Sequence, residues 1–65
     1  MTLQEFAALK DGDEIENGFN GSRGRVTEVN NRGVIVSWHG NPMTFTYTVN
    51  STQWMHWERP GETNV

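Results

Sequence analysis

The chain has no cysteine, so it has no disulfide framework and no thiolate metal site. Long apolar runs are missing too. The longest is Phe6-Ala7-Ala8-Leu9, far short of the roughly 20 residues that a membrane-spanning helix needs. The start of the chain lacks the basic and apolar segments of a signal peptide, so a cytoplasmic setting is expected. The Asn20-Gly21-Ser22 and Asn50-Ser51-Thr52 triplets are therefore read as chance matches to the glycosylation pattern. Lysine is nearly absent, with Lys10 alone, and the formal net charge is −3. A strongly basic footprint for nucleic acid is excluded by that balance.

Sixty-five residues make one domain near the lower size limit for independent folding. Hydrophobic residues are only 34% of the chain, so a few large rings must supply much of the burial. Three Trp, three Phe and one Tyr meet that need. Charge is unevenly spread. Residues 1–20 carry Glu5, Asp11, Asp13, Glu14 and Glu16 against Lys10, whereas all four arginines, Arg23, Arg25, Arg32 and Arg59, follow.

One segment reads as helix, over residues 2–9. Thr2 and Glu5 have the spacing of a capping box, and Leu3, Phe6 and Ala7 share a helical face. A helix this short is unstable alone, so Leu3 and Phe6 are expected to dock as a lid on the rest of the chain. Residues 12–59 read as short strands and turns. Strands are expected at 14–16, 23–29, 34–38, 43–49 and 53–58, with turn signals at Asn17-Gly18, Asn20-Gly21, Asn30 to Gly33, His39 to Pro42 and Asn50 to Thr52. The strand 43–49 alternates fully, with Met43, Phe45, Tyr47 and Val49 on one face and Thr44, Thr46 and Thr48 on the other. Residues 60–65 read as a loose tail. The pattern predicts a mainly β domain: a five-stranded antiparallel barrel, closed or nearly so, capped by a short N-terminal helix.

The stretch LKDGDEIENGFNGSRGRVTEV, residues 9–29, resembles the opening of SH3-like barrels, KOW-type modules above all. The matching residues are Gly12, Asp13, Ile15, Gly21, Gly24 and Val26, and GVIVSW, FTYTV and a final strand continue the order to residue 59. The resemblance implies an SH3-like barrel and, through KOW modules, binding to RNA or protein. This chain departs from that pattern in being acidic and lacking lysines around the first loop.

The stretch WMHWERP, residues 54–60, raises the question of site residues. On a regular strand, Met55 and Trp57 would face the core with Ile15, Val26, Val34, Val36, Phe45 and Tyr47. Trp54 would then face out beside His56, with Trp38 and Arg59 nearby, as the contact for a protein partner. A competing reading packs Trp54 beneath the helix against Leu3 and Phe6, and a bulge would exchange Trp54 and Trp57. Both stay open at the level of sequence.

Enzyme chemistry has no motif to rest on. Ser22, Ser37 and Ser51 lie in no nucleophile motif, and His39 and His56 have no third metal ligand at telling spacing. Asp11, Asp13 and Glu16 lack a calcium-loop pattern. Plasmid-encoded dihydrofolate reductases, an enzymatic SH3-like family, carry a Val-Gln-Ile-Tyr strand, where this chain reads Phe45-Thr46-Tyr47-Thr48. No cofactor and no metal are expected. The leading expectation is a small accessory or inhibitory protein, of phage, mobile-element or bacterial type, that binds another protein. The alternative is nucleic-acid binding through Arg23, Arg25 and Arg32 with stacking aromatics. Homo-oligomerisation is compatible with either.

Overall fold

A computed structural model describes residues 1–60. The fold is a five-stranded antiparallel sheet curled into a half-barrel, with a short helix at its start. Of the expected tail at 60–65, residues 61–65 lie outside the described residues.

Helix α1 spans Leu3–Ala7. Its capping box forms as the sequence predicts. The Glu5 amide donates to Thr2 Oγ1 at 3.1 Å, and the Thr2 amide donates to Glu5 Oε1 at 2.7 Å. The Thr2 amide, more than any other neighbour, holds the Glu5 carboxyl below its ordinary value of 4.5. One helical turn cannot bury both of its large residues. Phe6 goes inward, whereas Leu3, expected to dock beside it, is exposed. Leu9, just past the helix, takes the second buried place.

The strands are β1 (Glu14–Asn17), β2 (Arg23–Asn30), β3 (Gly33–Trp38), β4 (Thr44–Tyr47) and β5 (Trp57–Glu58). Their order across the sheet is β4-β3-β2-β1-β5. Period-two alternation sends Gly24 and Val26 of β2, and Val34 and Val36 of β3, to the inner face. The register shifts between Val26 and Glu28, where a bulge bends β2 and helps the sheet curl. Gly24 sits where β2 passes under Trp38. A β-carbon there would lie 2.7 Å from Trp38 Cε3 and 3.0 Å from Val36 Cγ1. The core joins Phe6, Leu9, Ile15, Val26, Val34, Val36, Trp54 and Trp57.

Three expectations need correction. First, residues 53–58 are not one strand. Gln53–His56 form a 3₁₀ turn, η1, which leads into the two-residue β5. Its closing bonds run from the Met55 amide to the Thr52 carbonyl and from the Trp57 amide to the Trp54 carbonyl. A strand would send Trp54 and Trp57 to opposite faces, but residues three apart in a 3₁₀ turn eclipse one another. Both rings therefore enter the core. Trp54 is 6% exposed and does not face outward, and Met55, expected inside, is 56% exposed.

Second, the alternation over 43–49 holds only over β4. Met43 is fixed outside the strand by its amide, which donates to Asn41 Oδ1, and the chain turns again at Thr48, whose amide donates to Ser51 Oγ. Phe45 lies on the inner face, opposite Val36. It is still 38% exposed, because β4 is an edge strand with no neighbour on its far side among the described residues.

Third, the barrel is open. No pairing joins β4 to β5 among the described residues, so the expected closure is reduced to a curled half-barrel.

Candidate interaction site

The β1–β2 loop, residues 18–22, is built from its own side chains. Asn17 Oδ1 accepts from the Phe19 amide at 2.7 Å, and Asn20 Oδ1 accepts from the Ser22 amide at 2.9 Å. The Gly21 amide closes the turn on the Asn17 carbonyl at 2.8 Å. Asparagine suits these positions because its short amide can stand in for a turn carbonyl.

The loop is also fastened to η1. The Gly18 amide donates to the His56 carbonyl at 2.7 Å. That approach requires glycine, since a β-carbon at position 18 would sit 2.5 Å from the same oxygen. The clamp brings Phe19 over His56, with ring centroids 4.1 Å apart and planes tilted by 43°. Phe19 is 75% exposed, and Met55 is exposed beside the same hollow of about 300 Å³. Two hydrogen bonds thus fix the backbone beneath a large apolar ring, and the ring itself rests on His56.

On the other side of Trp57 lies an open cleft of about 410 Å³, walled by Asn17, Asn20, His39 and Asn41, with Trp38, Tyr47 and Trp57 also lining it. Trp38 Nε1 donates to the Tyr47 hydroxyl at 3.0 Å, which fixes both rings. Trp57 packs edge-on against both, with centroids 5.7 Å from Trp38 and 4.7 Å from Tyr47.

The structure separates the residues that the sequence grouped. Trp54 is buried under α1, Trp38 lies half-buried at the cleft, and His56 is exposed beneath Phe19. Arg59 is half-buried and pairs with Asp13 at 3.8 Å. The other arginines form no continuous stripe. Arg23 and Arg25 face outward on β2, directly opposite Glu16 and Glu14 of β1. The pairs close to 4.0 Å and 3.4 Å. Arg32 lies in the β2–β3 turn, beyond Asn30, which is roughly 17 Å along the strand from Arg25 at a rise of about 3.3 Å per residue.

Phe19 and Met55 were not singled out by sequence. The signal for Phe19 was one phenylalanine between two Asn-Gly turn dipeptides, where burial by a strand is not available. Met55 carried the opposite expectation, because it was placed on a strand that does not form.

Among the described residues, no three His, Asp or Glu side chains are grouped to hold a metal ion, and no helix is long and apolar enough to cross a membrane. The fold defines a small, mostly β domain with a curled antiparallel sheet and a helical lid. No protein-family model matches the chain, and no curated protein or solved structure is significantly similar to it.

Proposed function

We propose that the chain is a small non-enzymatic interaction module of SH3-like type that binds another protein as an accessory or inhibitory subunit. Phe19, Met55 and His56 form the contact surface in this reading. One observation carries it: Phe19 is 75% exposed, yet its loop is anchored by the Gly18–His56 hydrogen bond and its ring rests on His56. A large ring ordered in solvent loses little further freedom on binding, and this is the property of an aromatic hot spot. A thioether beside it adds an adaptable apolar contact.

Charge favours a protein over a nucleic acid. Arg23 and Arg25, the two arginines nearest in sequence, already face carboxylates, and a net charge of −3 opposes the approach of a polyanion. The test is affinity capture from a lysate of the source cells, with and without nuclease, by the wild-type chain and by Phe19→Ala. A protein captured despite nuclease, and lost with Phe19→Ala, supports the reading. Capture that disappears with nuclease favours the nucleic-acid alternative.

A further inference from the structure

We infer that two copies of this chain pair antiparallel through the free edge of β4, giving a continuous ten-stranded sheet across a two-fold axis at Thr46.

The two edges of the half-barrel are treated differently. Beyond β5, the Met1 nitrogen donates to the carbonyls of Met55 at 3.0 Å and Trp57 at 2.9 Å. Beyond β4 nothing comparable lies among the described residues, and apart from its ladder with β3 no backbone hydrogen bond involves residues 44–47. An edge left in this way is a template for another strand. Proteins keep such edges single with very short strands, charges or proline; β4 is short, but it carries neither charge nor proline. Residues 33–57 contain no Asp, Glu, Lys or Arg. The net charge of the chain therefore places no like charges at this seam.

The side chains specify which strand fits. Read outward from Thr46, the flanking residues of β4 are similar in both directions, with Phe45 on one side and Tyr47 on the other. A two-fold axis normal to the sheet keeps the inner faces of both copies on one side, so residues opposite each other must add to an even number. With the axis at Thr46, Phe45 faces the second copy's Tyr47, Tyr47 faces its Phe45, and Thr46 faces its Thr46. Aromatic pairs form on the inner face and threonine pairs on the outer face, and both kinds stabilise antiparallel strands. Phe45, left 38% exposed at the open seam, gains the cross-strand neighbour that it lacks in one copy. The same strand presented by each copy to the other makes the contact closed, so assembly stops at a dimer.

The strand is four residues long. The interface falls below the usual size of about 1,600 Å² and the association is correspondingly weak. Sedimentation equilibrium up to about 1 mM covers that range. The wild-type chain is expected to dimerise. Thr46→Lys and Thr46→Glu, each placing like charges face to face on the axis, should weaken the dimer at least tenfold while circular dichroism melts stay near wild type. An equimolar mixture of the two variants should dimerise again. Because the chain has no cysteine, the register can be read separately. Thr46→Cys should oxidise to a covalent dimer, and Thr44→Cys, two residues off the axis, should not cross-link to itself. A monomer at all concentrations, a dimer indifferent to Thr46→Lys, or a mixture that stays monomeric would each overturn the inference.

Discussion

Phe6 stacks on Trp54, with ring centroids 4.8 Å apart and planes 17° from parallel. This contact joins the N-terminal turn to the segment just before β5, and it explains how five helical residues stay folded. Trp54 is held from its other end by its indole Nε1, which donates to the Thr48 carbonyl at 3.1 Å.

Trp54 is therefore a structural residue. Trp54→Ala should cost about 3–5 kcal/mol, the usual range for removing a buried aromatic. Deleting residues 1–8 should destabilise the domain in the same direction, since it uncovers the same ring. Chemical denaturation checks both. A Trp54→Ala variant with wild-type stability would contradict the packing.

The open seam sets the rank of the aromatic residues. Trp57 is 1% exposed and contacts Phe6, Trp38 and Tyr47, so Trp57→Ala should also lose about 3–5 kcal/mol. Phe45→Ala should lose less than half as much, because Phe45 already keeps much of its surface in water. Urea midpoints measured at low protein concentration, with unchanged slopes, give the comparison. Equal losses would show that β4 is covered in solution by part of its own chain.

The strand pattern, the helix and its capping box were legible in the sequence because each depends on local chemistry: glycine turns, alternation, and the Thr2–Glu5 spacing. The inward face of Phe45 was legible for the same reason. Its exposure was not, because that depends on whether β4 meets β5, a contact with no local signature. WMHW failed differently. Four residues are too few to distinguish a strand period from a 3₁₀ turn, and burial of both tryptophans selected the turn. The candidate site was largely illegible. Phe19 meets His56 only because Gly18 lets one loop touch a distant carbonyl.

Gly18→Ala tests that contact. The added methyl would press on the backbone oxygen of His56 and has nowhere to yield. It should cost about 1–3 kcal/mol, as overpacking does. It should also shift the His56 ring proton resonances, which lie under the Phe19 ring. Unchanged His56 resonances would contradict the clamp.

Glu5 gives a pH signature. Its carboxyl is lowered by the Thr2 amide, so ionisation favours the folded state. That contribution is complete above the unfolded-state value and is lost as pH falls through the folded-state value. Glu5→Gln keeps an acceptor but removes the titration. The stability difference between wild type and Glu5→Gln should therefore shrink on acidification. A Glu5 carboxyl that titrates by NMR at or above 4.5 would contradict the capping geometry.

The central claim, that Phe19 anchors a protein partner, is tested most directly by titrating the purified partner from the capture experiment against three forms of the chain at two salt concentrations. Wild type and Arg25→Glu should bind equally, with little change in affinity as salt rises. Phe19→Ala should bind at least tenfold more weakly, a loss of about 1.4 kcal/mol or more, while its melting temperature stays near wild type. Binding unchanged by Phe19→Ala, or binding that falls steeply with salt and is lost in Arg25→Glu, would contradict the account.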